Sequence, residues 1–329
     1  MRKKRPLLFA IALPLVIGAV LLLRIPDFHS TPHPAETFEQ AKDLFENLRR
    51  TESSLPLSPE GASRMLDHGT KTPRAFVLLH GLTNCPEQFL PLARILHAQG
   101  ANIIIPRARY AGFADRLNTV QGNQSGQDLI DQAAVGLDIA AGLGDQVSLV
   151  GLSGSAVAGA WMAQHRNGVS KMVLIAPFFS LDSIPAPLID AGAAVLSRLP
   201  NFYHWWDSEK KENLTGPKYA YPRFGTRCMA STIQLSRNVR ENLSLMPLRV
   251  AKLDFLITAT DTAANNPLTK KIAAELAKSN TVPVTIEEFP AGLKIPHDMV
   301  DPSQPDANTE IAYKKILELL DMNGPAKAE

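Results

Sequence analysis

Apolar positions along the chain alternate between continuous runs and helical spacing. AFVLLH (75–80), ANIIIP (101–106), QVSLVG (146–151), KMVLIAP (171–177), DFLITAT (254–260) and VPVTIEEF (282–289) read as strands. Between and after them, PEQFLPLARILHAQG (86–100, closing at Gly100), 124–141, 154–166, LTKKIAAELAKS (268–279) and a stretch near 307–321 read as helices. Phe38, Ala41, Leu44, Phe45 and Leu48 also fall at helical spacing, so residues 36–50 predict an amphipathic helix packed on the body. Strands alternating with helices predict an α/β fold, a mostly parallel sheet covered on both faces. Residues 178–247 break the rhythm with Pro185, Pro187, Pro200, Pro217, Pro222 and Pro247, an aromatic cluster FYHWW (202–206) and short helical pieces at 188–199 and 227–242. An insertion between two core strands reads most simply as a lid over the carboxyl edge of the sheet.

Composition narrows the class. With 329 residues, 45% hydrophobic and 20% charged, the chain is an ordinary globular protein, which excludes disorder, collagen and disulfide scaffolds. Two cysteines, Cys85 and Cys228, make no framework, and neither stands in zinc-ligand spacing, so no structural metal is expected. An oxidising compartment would let them pair; two free buried thiols are the favoured reading. The net charge of +2 divides into +5 from residues 1–24, which hold no acid, and −3 from the rest. Such a body offers phosphates little attraction, and nucleic acid is not an expected partner.

The first residues point to a membrane. MRKKR precedes an uncharged, mostly apolar run from Pro6 to Leu23, about the length of a short span. The run passes into LLLRIPDF without an A-x-A-like site, which favours an uncleaved signal anchor over a cleaved signal peptide. The basic residues before the span keep the N-terminus cytoplasmic and export the body. The expectation is a single-pass protein of the inner membrane, with its body on the periplasmic side and the membrane as a partner. Residues 25–35, rich in Pro, Ser, Thr and His, read as an extended linker.

Candidate chemistry gathers at strand ends. LVGLSGSAVAGA (149–160) runs from a strand through small residues into a helix, which lifts the Ser153 hydroxyl onto a tight bend at a helix N-terminus. Ser153 is the candidate nucleophile. A hydrolase of this kind presents its acid and base in the order Ser, Asp or Glu, His. Asp261 follows DFLITAT, and His297 lies between VPVTIEEF and the last helix; Asp182, after KMVLIAP, is the alternative acid. In this reading His297 is the general base and Asp261 orients its imidazole. HGLTN (80–84) supplies a turn whose Leu82 amide, with that of Gly154, forms the expected oxyanion hole. His80 reads as a brace for that turn, and His204 as a lid surface or packing residue. Asp298 is expected to point away from its neighbour His297. The aromatic cluster 202–206 reads as lid packing, or else as acyl-pocket lining or a bilayer contact.

The combination of HG at 80–81, GLSGS at 151–155, Asp261, an insertion between the sixth and seventh strands and His297 resembles the α/β-hydrolase superfamily. HGLTNCPEQF (80–89) and the insertion resemble its bacterial carboxylesterase and monoacylglycerol-lipase-like group. The likeness covers roughly residues 62–322. It implies an eight-stranded sheet, no cofactor and two-step acyl transfer through a serine ester. The chain departs from the pattern at Ser155, where glycine is usual, and at YAGFADR (110–116), where many members have a compact PGHG-like turn.

The expected organisation is an anchor (1–24), linker and amphipathic helix (25–61), hydrolase core (62–177), lid (178–247), second core part (248–322) and tail (323–329). The expected function is a membrane-anchored serine hydrolase acting on a small-molecule carboxylic ester, lipid-like or small and apolar. A peptidase, amidase or thioesterase would use the same triad. The reading from another class is a non-catalytic binding module of this fold.

Overall fold

The computed structural model describes residues 25–182 and 184–322. Its strands are β1 (Arg64–Leu66), β2 (Thr72–Leu79), β3 (Asn102–Ile105), β4 (Gly144–Leu152), β5 (Val169–Ile175), β6 (Tyr203–Trp205), β7 (Arg223–Gly225), β8 (Lys252–Thr258) and β9 (Val284–Phe289). Its helices are α1 (Phe38–Glu52), α2 (Leu90–Ala98), α3 (Gly126–Leu143), α4 (Gly154–His165), α5 (Ala186–Leu196), α6 (Thr226–Glu241), α7 (Asn266–Ser279) and α8 (Thr309–Leu319).

Among the described residues the main sheet has seven strands in the order β1-β3-β2-β4-β5-β8-β9, all parallel to their neighbours except β1, which runs antiparallel to β3. The eight-stranded sheet implied by the resemblance is corrected to seven. Ahead of β1 the segment LPLSPEGAS (55–63) holds two prolines and a glycine, which do not sustain a ladder. The insertion therefore enters between the fifth and sixth strands of the main sheet, not the sixth and seventh.

The period-2 geometry of β2 divides the core. Ala75, Val77 and Leu79 face α3, α4 and α7 through Leu129, Val157, Trp161 and Ile272, while Phe76 and Leu78 face α2 and α8 through Leu92, Leu96 and Ile316. Each large apolar side chain so buried contributes about 1.5–3 kcal/mol relative to exposure. The helices are packed closely against one another. At Gly142 of α3 an added Cβ would lie 2.3 Å from the Thr37 carbonyl oxygen and 2.9 Å from Ala41 Cβ, so only glycine admits α1 there.

The N-terminal part of the described chain is docked. Residues 25–35 form neither helix nor strand, and they lie along α3. His29 exchanges backbone hydrogen bonds with the Gln127 side chain, the His33 amide donates to Asp138 Oδ1 and the Ala35 amide to the Asp138 carbonyl. Helix α1 is capped by Thr37, whose hydroxyl accepts from the Gln40 amide. At its other end the buried Glu52 carboxylate accepts from the Ser63 amide and hydroxyl, Arg107 Nε and Arg49. Cys85 and Cys228 are both free and buried.

Among the described residues no helix is long and apolar enough to cross a membrane. The longest, α3, spans 18 residues but carries Asp128, Asp131 and Asp138. For the described residues this corrects the expected membrane-anchored architecture: nothing in them supports a transmembrane signal anchor, a membrane partner or an inner-membrane location. The segment on which that expectation rested, residues 1–24, lies outside the described residues.

Candidate active site

Strand β4 and helix α4 meet at Ser153, which takes φ 58° and ψ −119°. A non-glycine residue in that region costs about 1–3 kcal/mol, and the surrounding bonds enforce it. The Ser153 amide donates to the Ile175 carbonyl at 2.9 Å, continuing the β4–β5 ladder, while its carbonyl accepts from the amides of Ala156 and Phe178, both at 3.1 Å. The side chain is left half-buried on the wall of a cavity of about 400 Å³.

His297 lines the same cavity from the loop between β9 and α8. Its Nδ1 lies 2.7 Å from Oδ2 of Asp261, which follows β8 and is itself buried. The other carboxylate oxygen, Oδ1, accepts from the amides of Ala263 and Ala264 at 2.8 and 3.0 Å, so the carboxylate is fixed by its own turn. Burial disfavours charge on Asp261, yet the His297 hydrogen bond and charge together with these two amides hold its pKa below the usual carboxylate value. Burial likewise pulls the His297 pKa down, and the bond and charge of Asp261 outweigh it, leaving the imidazole above its ordinary value. With an ionised acceptor facing it, Nδ1 carries the proton and Nε2 is free to accept one. Among the described residues no hydrogen bond links Ser153 to His297; the two face a common space.

Beside them, the end of β2 turns at Gly81 and Leu82. The Leu82 side chain covers Gly154 so closely that a Cβ on Gly154 would sit 2.5 Å from Leu82 Cγ. Among the described residues the amides of Leu82 and Gly154 have no hydrogen-bond acceptor, and that of Gly154 stands at a helix N-terminus, where the backbone dipole favours negative charge.

Ser155 clarifies the departure from glycine. Its hydroxyl donates to the His80 carbonyl at 2.6 Å, tying the first turn of α4 to the end of β2. His80 is fully buried, its Nδ1 donating to the Gly81 carbonyl and its Nε2 accepting from the Ala108 amide. Burial lowers its pKa to about 4, so it is a neutral brace.

Several cavity-wall residues were not legible in sequence. Gln88 accepts from the Gly81 amide and donates to Asp298 at 2.7 Å; Asn84 and Gln304 also donate to Asp298. The Asp298 carboxyl thus turns toward three amides, and burial, reinforced by Asp301, pushes its pKa up to about 7. These partners lie as much as 214 positions apart, beyond any spacing signal. From the insertion come Leu214, Tyr221 and Met229, and from YAGFADR comes Arg116; Trp206, of the aromatic cluster read as lid packing or else as acyl-pocket lining, lines the cavity too. Asp182, the alternative acid, is exposed, and His204 stacks loosely near Phe224 on the surface.

Comparison with known proteins agrees with this geometry. Residues 76–308 match the family described as the alpha/beta hydrolase family. The chain belongs to that family. Among solved structures, this hydrolase is similar to one reported for the metagenome-derived lipolytic enzymes LipS and LipT (15% identity, 80% of this chain and 99% of that one, TM-score 0.59). It is similar also to the monoacylglycerol lipase of Paleococcus ferrophilus (16% identity, 79% and 98% covered, TM-score 0.60). A third is a soluble variant of the monoglyceride lipase of Saccharomyces cerevisiae in complex with a substrate analog (12% identity, 79% and 90% covered, TM-score 0.52). At these identities the likeness is one of fold. No curated protein matches the chain. Family membership makes the chain an alpha/beta hydrolase; which residues act, and how, follows from its own site.

Proposed function

We propose that this hydrolase is a serine esterase that cleaves small carboxylic esters with an apolar part through an acyl-Ser153 intermediate. The observation that carries the reading is the 2.7 Å contact between His297 Nδ1 and Asp261, on a cavity that Ser153 lines from a strained strand-to-helix bend. His297 Nε2 takes the Ser153 proton as Oγ forms a bond to the ester carbonyl carbon. The carbonyl oxygen takes the negative charge and receives hydrogen bonds from the Leu82 and Gly154 amides. Collapse of this intermediate breaks the ester C–O bond, and His297 returns the proton to the leaving alcohol. Water then repeats the sequence on the acyl-serine, releasing the acid and restoring Ser153. Asp261 holds the imidazole and balances its transient charge throughout.

In this reading residues 62–177 and 248–322 form the hydrolase core, and 178–247 form a lid over the cavity. Support comes from the insertion side chains on the cavity wall, among them Trp206, Leu214, Tyr221 and Met229. Their apolar character, with that of Leu82, Leu152 and Phe178 in the same lining, suits an aliphatic or aromatic substrate part.

The test is covalent labelling of the full-length protein by a fluorophosphonate, read by intact mass. The expected result is one adduct on the wild type and none on Ser153→Ala. No adduct on folded wild type, together with no ester turnover across pH 6–9, overturns the reading.

A further inference from the structure

The cavity is apolar for most of its wall, yet two cations reach it: Lys210 from the insertion and Arg116 from the loop after β3. Their situations differ. Lys210 is exposed and has Asp207 at 3.7 Å. Arg116 is half-buried, and its Nε donates to the Ala220 carbonyl at 2.8 Å, which fixes the plane of the guanidinium. Among the described residues no carboxylate lies within the 4.0 Å of an ion pair with it. Asp298, the acid on the same wall, is already engaged by Asn84, Gln88 and Gln304. Burial lowers the Arg116 pKa without an acid to raise it again, and a guanidinium stays charged all the same.

A cation partly withdrawn from water beside apolar walls, with no counter-ion, is an unfavourable arrangement for folding alone. It becomes favourable when a ligand supplies the anion. A guanidinium anchored at Nε keeps its two terminal nitrogens as a planar fork, the geometry that pairs with carboxylate or phosphate oxygens. The residue belongs to YAGFADR (110–116), the segment in which this chain leaves the compact turn of the group it resembles.

Resting on the esterase reading above, we infer that Arg116 forms an anion subsite in the substrate cavity, and that the substrates are esters carrying an anionic oxygen group on an otherwise apolar body. The group is a carboxylate or a phosphate, and the apolar wall receives the rest. The subsite acts on binding and orientation; the bond-breaking steps remain those of Ser153 and His297.

The test compares two esters on the full-length protein: p-nitrophenyl pentanoate and the p-nitrophenyl monoester of glutaric acid, in which a carboxylate replaces the terminal methyl. A phosphonate analogue, p-nitrophenyl 4-phosphonobutanoate, separates phosphate-like from carboxylate recognition. The wild type is expected to favour at least one anionic ester over pentanoate by tenfold or more in kcat/KM, with KM for that ester rising at high ionic strength. In Arg116→Gln the ratio of anionic to neutral kcat/KM falls at least tenfold, mostly through KM, and Arg116→Lys recovers part of it. A wild-type preference for pentanoate, or equal losses for both esters in Arg116→Gln, overturns the inference while leaving the esterase reading standing. If no ester is turned over and Ser153 is not labelled, the esterase reading fails, and calorimetric titration with glutarate and 4-phosphonobutanoate still decides the subsite. Binding by the wild type that Arg116→Gln loses supports it, and no binding by the wild type overturns it.

Discussion

His297 is set by two opposing influences, burial and the Asp261 carboxylate, and the second prevails. A general base works when neutral, so a raised pKa places the acid limb of kcat/KM above the ordinary 6.5 of histidine. Replacing Asp261 by Asn removes the charge that raises the imidazole while leaving the burial. The acid limb is then expected to move to lower pH, and the rate to fall on the order of 10⁴-fold, both read from a pH–rate profile. Gly154 makes a second prediction at this scale. A Cβ there meets Leu82 Cγ at 2.5 Å, so Gly154→Ala displaces the Leu82 turn proposed to hold the oxyanion. Loss of one such donor corresponds to about 2.7–4 kcal/mol of transition-state stabilisation. The expected result is a kcat loss of about 10²–10³-fold, with fluorophosphonate labelling slowed alongside.

Elements reach the site through buried polar ties. Glu52 at the end of α1 holds Ser63 and Arg107, and Arg107 Nη1 in turn donates to the carbonyls of Ala108, Arg109 and Ala111 in the loop that leads to Arg116. The amide of Ala108 in the same loop donates to His80, which braces the turn at Gly81 and Leu82. Glu52→Ala leaves Arg107 buried without its carboxylate, a loss of about 3 kcal/mol measured by denaturant unfolding. A loss of less than about 1 kcal/mol would mean that the carbonyls alone hold Arg107. The strand and helix pattern was readable because parallel strands buried on two faces give unbroken apolar runs. The short antiparallel β1 was not, because a three-residue edge strand has no period to detect.

On the scale of the molecule, the sheet and the insertion differ in how much they bury. Leu174 and Ile175 at the end of β5 are wholly inaccessible, whereas α5 buries only Ala193 and Ala194 and exposes Leu188 and Val195. Few buried contacts give low-energy local opening. Native-state hydrogen exchange is expected to show amides of 186–225 exchanging well before those of β4, β5 and β8. Equal protection in the two regions would remove the basis for an insertion that opens over the cavity.

The α/β class, the strand-to-helix bend at Ser153 and the order in which Asp261 and His297 follow it are legible in the chain, because local sterics and strand-end chemistry are written in neighbouring residues. The folded arrangement is what makes Asp261 rather than Asp182 meet His297, lets Ser155 and His80 lock α4 to β2, and turns Asp298 to three amides. It alone brought Arg116 to the cavity without a counter-ion. Those facts depend on contacts between residues far apart in the chain, where a side chain's partner is chosen by the packing of whole elements and not by spacing along the backbone.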